Sequence, residues 1–165
     1  MGLYDDVYAA LEAADVRFVV VGGMAVVLSG HLRTTVDLDL VVDLAPEPAA
    51  RAVAALSGLG FAPRVPVRPV DFADPRIRLE WIDTKHMQVL SFRDPQHPAR
   101  EVDVFVTYPM DFEQLITAAV PTRVGDHSVL VACIEDLVTM KLAAGRPQDL
   151  ADIDALQRLR DRRSR

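Results

Sequence analysis

The sequence is short of several things, and each shortage narrows its chemistry. Cys133 is the only cysteine among 165 residues, so no internal disulfide can form. Its apolar neighbours in VLVACI make it read as a buried thiol rather than a nucleophile. No apolar run approaches the roughly 20 residues that span a bilayer, and no basic segment followed by an apolar stretch opens the chain. Asp6 stands where a myristoylation signal needs Ser or Thr. No membrane partner is therefore expected, and the cytoplasm is the expected location. Positive charge is scarce too: the formal net charge is -6, which disfavours a broad non-specific nucleic-acid surface. Its one concentration is RLRDRRSR (158–165), which fits either a solvated helix end or a local contact with a phosphate backbone.

Certain site patterns are missing as well. No G-x-S-x-G occurs, which leaves serine-hydrolase chemistry without support. His31, His86, His97 and His127 are scattered without cysteine partners at metal-ligand spacing, which argues against zinc. There is no internal repeat, heptad run or low-complexity segment. What remains is an ordinary folding composition, 50% hydrophobic and 25% charged, of a length that fits one domain over residues 1–165.

Periodicity orders the elements. Leu3, Val7 and Leu11 predict a helix over 3–14, which leads into a buried strand, RFVVV. Gly22-Gly23 ends that strand and MAVVLSG begins a short helix. TVDLDLVVD predicts a second strand with Val36, Leu38, Leu40 and Val42 on one face and Asp37, Asp39, Val41 and Asp43 on the other. A helix is expected over 49–56, stopped by Gly58 and Gly60, then a short strand at Phe61-Ala62. Pro63, Pro66, Pro69 and Pro75 mark a surface loop, followed by a short helix around 77–83. MQVLSF and EVDVFV read as strands, residues 107–126 as a polar loop, and HSVLVA as one more strand. IEDLVTMKLAAG reads as a helix capped by Gly145, and PQDLADIDALQRL as a last helix with Leu150, Ile153, Leu156 and Leu159 as its stripe. The expected fold is α+β: a small mixed sheet flanked by helices, two of which close the chain.

Chemistry concentrates on the second strand. Residues i and i+2 of a strand share a face, so Asp37 and Asp39 present adjacent carboxylates that repel unless a hard cation neutralises them. Oxygen ligands suit Mg²⁺. Gly22-Gly23 lies at a strand-to-helix turn, where backbone N–H groups and the helix dipole favour phosphate. Asp103 sits mid-strand among valines, where a carboxylate is costly unless paired or metal-bound. Phosphate turn, paired carboxylates and a third carboxylate together fit a nucleoside triphosphate held with divalent metal.

The stretch VVVGGMAVVLSGHLRTTVDLDLVV resembles the glycine-turn and DxD signature of the nucleotidyltransferases typified by DNA polymerase beta, with a spacing at the long end. More narrowly, GG-A, H-x-R-x-T-x-DLDL, VDVFV and EDLVTMKLAAGRPQDLADIDAL in that order are similar to the abortive-infection (AbiEii-like) nucleotidyltransferase toxins, from about Phe18 to Leu156. The resemblance implies the nucleotidyltransferase fold and Mg²⁺ or Mn²⁺ at Asp37, Asp39 and Asp103, with Asp103 also serving as general base. It implies phosphate contacts from Gly22 and Gly23. Many members carry Ser where Gly23 stands, and its absence leaves backbone donors alone. Lys141 either places a charge on the β- or γ-phosphate or is a solvated helix lysine. Arg33 either clamps phosphate or pairs with Asp37 or Asp43. Asp149 and Asp152, three apart on the last helix, are expected to pair with Arg146 or Lys141.

Two functional readings follow. One is metal-dependent transfer of a nucleoside monophosphate from an NTP to a hydroxyl acceptor: a tRNA 3′ end, a partner protein or a small molecule such as an antibiotic. The other is a catalytically inactive, nucleotide-binding regulatory protein or toxin-antitoxin partner. Retention of three mutually repelling carboxylates favours the first over the second, and over a plain scaffold with solvated acidic strand faces.

Overall fold

The all-apolar run FVVV has no alternation because no residue of it meets water. It forms β1 (Phe18–Val21), buried throughout inside a mixed sheet. The structure, a computed structural model, describes residues 2–163. β1 lies between β2 (Asp37–Val42), antiparallel to it, and β7 (His127–Val131), parallel to it. On the far side of β2 runs β5 (Glu101–Phe105), parallel to β2, followed by β4 (Val89–Arg93) and the two-residue β3 (Ala62–Pro63), both added antiparallel. β6 (Val120–Val124) closes the other edge beside β7, giving the order β3-β4-β5-β2-β1-β7-β6.

Seven α-helices surround this sheet among the described residues: α1 (Asp5–Ala13), α2 (Gly22–Leu28), α3 (Pro46–Gly58), α4 (Pro75–Lys85), α5 (Phe112–Ala118), α6 (Ile134–Ala144) and α7 (Pro147–Arg163). α1 packs on α3, α2 on β2 and α6, and α6 on α7. Leu38 and Leu40 of β2 and Val102 and Val104 of β5 are fully buried. Each such side chain contributes about 1.5–3 kcal/mol, so the register of both strands is held by the faces opposite Asp39 and Asp103. Among the described residues no helix is long and apolar enough to cross a membrane.

The α+β fold with its mixed sheet and closing helix pair is as expected from the sequence, with local differences. α1 begins at Asp5, and its buried stripe is Val7, Tyr8 and Leu11, joined by Tyr4 just ahead of it, while Leu3 is 51% exposed. β2 begins at Asp37 and leaves Val36 largely exposed. On α7, Ile153, Leu156 and Leu159 face the core but Leu150 is 58% exposed, because the inward positions of its first turns go to Asp149 and Asp152. The proline-punctuated loop contains a 3₁₀ turn, Pro69–Ala73, that buries Phe72. The expected polar loop at 107–126 in fact holds α5 and β6. Cys133 is half-buried, and burial pushes its thiol up from the usual range. In the arginine-rich run, Arg158 pairs with Asp154 and Arg160 with Asp161 on the surface of α7, while residues 164 and 165 lie outside the described residues.

Candidate active site

β2 and β5 run parallel with Asp39 directly opposite Asp103, and Asp37 opposite Glu101. Neighbouring strands lie about 4.8 Å apart, so the register alone brings Asp39 and Asp103 together from distant parts of the chain. Val21, the last residue of β1, pairs with Asp39 on its other side. The chain therefore turns into α2 beside that carboxylate. Gly22 takes φ +62, and a Cβ there would overlap the Asp39 carboxyl group. Only glycine permits this approach. The Gly23 amide bonds to the Asp39 carboxylate, and a Cβ on Gly23 would collide with the Arg33 guanidinium.

These groups share one cavity of about 420 Å³, within the range of small-ligand sites. Asp37, Asp39 and Asp103 line it beside Gly22 and Gly23; Arg33, Lys141 and Arg146 supply cationic side chains to its wall. Every site residue expected from the sequence is thus brought to the same place. Burial and then repulsion from Asp103 push the Asp39 carboxyl up to about 7, against the opposing pull of the Gly23 amide, with Asp37 adding to the rise. Burial likewise raises Asp103, opposed by a hydrogen bond from the Ser91 hydroxyl of β4. Asp103 Oδ1 is buried without a hydrogen-bond partner.

An orphaned carboxylate oxygen and two carboxyl groups held above their usual range fit a site for a hard cation, which would relieve both the repulsion and the lost hydration. Among the described residues, however, no three His, Cys, Asp or Glu side chains are placed to hold a metal ion by themselves.

The cationic wall is internally braced. Lys141 Nζ is 2.6 Å from Asp152 Oδ2 and 3.2 Å from Asp149 Oδ1. Arg146 Nε donates to Asp149 Oδ2 at 2.8 Å, and Arg33 Nε lies 3.2 Å from Asp152 Oδ1. Burial alone would raise Asp149, but the hydrogen bonds from Arg146 and Lys141 outweigh it and hold its carboxyl below the ordinary range. Two sequence expectations change here. Arg33 pairs with Asp152, not with Asp37 or Asp43; Asp43 is taken by Arg17 at 2.6 Å. Lys141 is not a solvated helix lysine, being 6% exposed. Sequence reasoning missed Ser91, whose role depends on the β4–β5 register, and Tyr4, whose hydroxyl bonds the backbone at the start of both aspartate strands.

Residues 3–162 match the family described as nucleotidyltransferase of unknown function (DUF6036). The chain belongs to this family. Solved nucleotidyltransferase structures share its fold. The solution structure of the antibiotic-resistance factor ANT(2'')-Ia aligns with a TM-score of 0.60 at 11% identity, over 92% of this chain and 78% of that one. The crystal structure of an antigenic nucleotidyltransferase-like protein from Paracoccidioides brasiliensis aligns with a TM-score of 0.56 at 18% identity, over 92% and 75%. No curated protein matches the chain. In this member of the family the glycine turn and the three aspartates thus line one cavity.

Proposed function

We propose that this protein transfers a nucleoside monophosphate from an NTP to a hydroxyl acceptor and releases pyrophosphate. The observation that carries the reading is the convergence of Asp37, Asp39 and Asp103 with the Gly22-Gly23 turn on one cavity, with Asp103 Oδ1 buried and unpaired. Asp37, Asp39 and Asp103 are the residues that would hold Mg²⁺ or Mn²⁺. Such an ion, when bound, neutralises triphosphate charge and acidifies the attacking hydroxyl.

The chain's own groups do the rest. Gly22 and Gly23, without side chains, let the Asp39 carboxylate and the Arg33 guanidinium close against the turn, which sets both groups and the turn itself beside the phosphates of a bound NTP. Lys141 and Arg33, fixed by Asp149 and Asp152, hold positive charge at the cavity wall, where the triphosphate needs it. Asp103, raised above the usual carboxyl range and lining the cavity, takes the proton of the incoming hydroxyl on its carboxylate. The phosphorus–oxygen bond to pyrophosphate breaks as the bond to the acceptor oxygen forms.

The acceptor classes are a tRNA 3′ end, a hydroxyl side chain of a partner protein, or a small molecule. The antibiotic-resistance role in the name of one fold neighbour supports including the last. The resemblance to abortive-infection toxins supports a setting with an antitoxin partner. The test is purified protein with Mg²⁺ or Mn²⁺, each α-labelled NTP, and tRNA, lysate or small-molecule acceptors in turn. Label transfer that disappears in Asp39→Ala is expected. NTP binding with identical transfer blanks for wild type and Asp39→Ala would replace this reading with that of an inactive nucleotide-binding partner.

A further inference from the structure

Tyr4 stands just ahead of α1, is 2% exposed, and does not line the cavity. Its hydroxyl nevertheless joins the two strands that carry the carboxylates. Oη is 2.5 Å from the carbonyl oxygen of Val36 and 2.9 Å from that of Glu101, and it accepts from the Glu101 amide at 3.0 Å. Val36 immediately precedes Asp37. Glu101 is the register partner of Asp37 and lies two residues before Asp103. The phenol therefore sits where the β2–β5 ladder begins, sharing its one proton between two carbonyls while its lone pair takes an amide. The ring is fixed in turn: the Arg100 guanidinium lies 5.6 Å from its centroid and is ion-paired to Asp6 at 2.5 Å and Asp94 at 3.0 Å.

We propose that Tyr4 is a positioning residue, whose hydroxyl sets the relative height of β2 and β5 at the mouth of the site and so the placement of Asp37 and Asp39 against Asp103. This rests on the transferase reading above. A parallel pair has no tight turn to pin its register, and here Tyr4, just ahead of α1, supplies the pin from outside the sheet. Phenylalanine at this position keeps the ring and its packing but leaves the Glu101 amide and two carbonyls without their shared partner. Misplacement of reacting groups by about 1 Å costs up to roughly 100-fold in rate, so a small shift of one strand end is enough to matter.

The experiment compares wild type, Tyr4→Phe and Asp39→Ala in the transfer assay, with amide hydrogen exchange followed by mass spectrometry. For Tyr4→Phe, kcat is expected to fall roughly 10- to 100-fold with KM for NTP changed less than about twofold. Exchange quickens in the segments 36–39 and 101–103 and stays unchanged in β1 and β7. A residue that only supports the fold would instead quicken exchange across the sheet and leave the kcat of the folded fraction intact, and that result overturns the proposal. Arg100→Gln loosens the ring while keeping the hydroxyl, and serves if Tyr4→Phe does not fold; it is expected to lower kcat in the same direction, by less, and an unchanged kcat overturns the proposal. Asp39→Ala inactive beside a fully active Tyr4→Phe removes the Tyr4 role alone. Equal transfer by wild type and Asp39→Ala removes the transferase reading and this proposal with it.

Discussion

Lys141 Nζ and Asp152 Oδ2 meet at 2.6 Å across the joint between α6 and α7, with side chains only 7% and 3% exposed. Asp149 and Asp152 are both buried, so Lys141 is the charge common to two carboxylates removed from water. Breaking such a pair from one side costs about 3–5 kcal/mol, mostly the penalty of the charge left behind. Lys141→Met is therefore expected to lower unfolding stability by about that amount in urea titration. A loss below about 1 kcal/mol would mean that Arg33 and Arg146 neutralise the two aspartates unaided.

Gly22→Ala and Gly58→Ala separate backbone need from helix propensity. At Gly22 the left-handed φ of +62 and the overlap with Asp39 act together, so alanine is expected to cost about 1–2 kcal/mol for conformation alone, with NTP binding lost as Asp39 is displaced. At Gly58, within α3, a Cβ meets nothing within 4 Å, and alanine should be neutral or stabilise by up to about 1 kcal/mol. Thermal unfolding of both variants, with an NTP-binding titration, reads the contrast. Equal melting temperatures would remove the steric account of the glycine turn.

Much of this site was legible because strand alternation is local. DLDL and EVDVF place their aspartates opposite buried Leu38, Leu40, Val102 and Val104 whatever the rest of the chain does. The Arg33–Asp152 pair was not legible, since it joins groups that only the docking of α7 brings together. Tyr4 carries no signal at all in sequence, as its partner Glu101 is 97 positions away. α5 did leave a trace: Asp111 caps it by accepting from the Gln114 amide at 2.8 Å, and the D-x-x-Q spacing is that of a capping box. β6 was hidden because it is an outer edge strand, largely exposed and carrying Pro121, so its hydrophobic alternation is faint.

The two carboxyl populations respond oppositely to pH. Asp39 is raised from 3.8 to about 7, so the stability its neutral form contributes is complete below about pH 4 and is lost as pH rises through about 7. Asp149 is lowered, so its contribution is present above the ordinary carboxyl range and is lost as pH falls through it. Metal-free protein should accordingly lose stability between about pH 4 and 8 through Asp39 and, on acidification, through Asp149. Asp39→Asn should remove the first slope and exceed wild type at pH 8 by on the order of 4 kcal/mol. Melting temperature against pH in chelator checks this, and parallel curves for the two proteins would contradict the assignment.

A divalent cation should reverse that same slope. With Asp37, Asp39 and Asp103 lining the cavity and Asp103 Oδ1 unpaired, Mg²⁺ or Mn²⁺ competes with the proton on Asp39 and is expected to stabilise the wild type more at pH 8 than at pH 5. Binding to the folded form at a hundred times its dissociation constant adds about 2.7 kcal/mol, a rise in melting temperature of several degrees for a domain of this size. The gain should vanish with excess EDTA and in Asp39→Ala. Because Mg²⁺ completes its shell with phosphate oxygens, the shift should grow when a non-hydrolysable NTP is added with the metal. An equal shift in Asp39→Ala would place the cation elsewhere on this acidic chain, and no shift in any protein would remove metal from the mechanism.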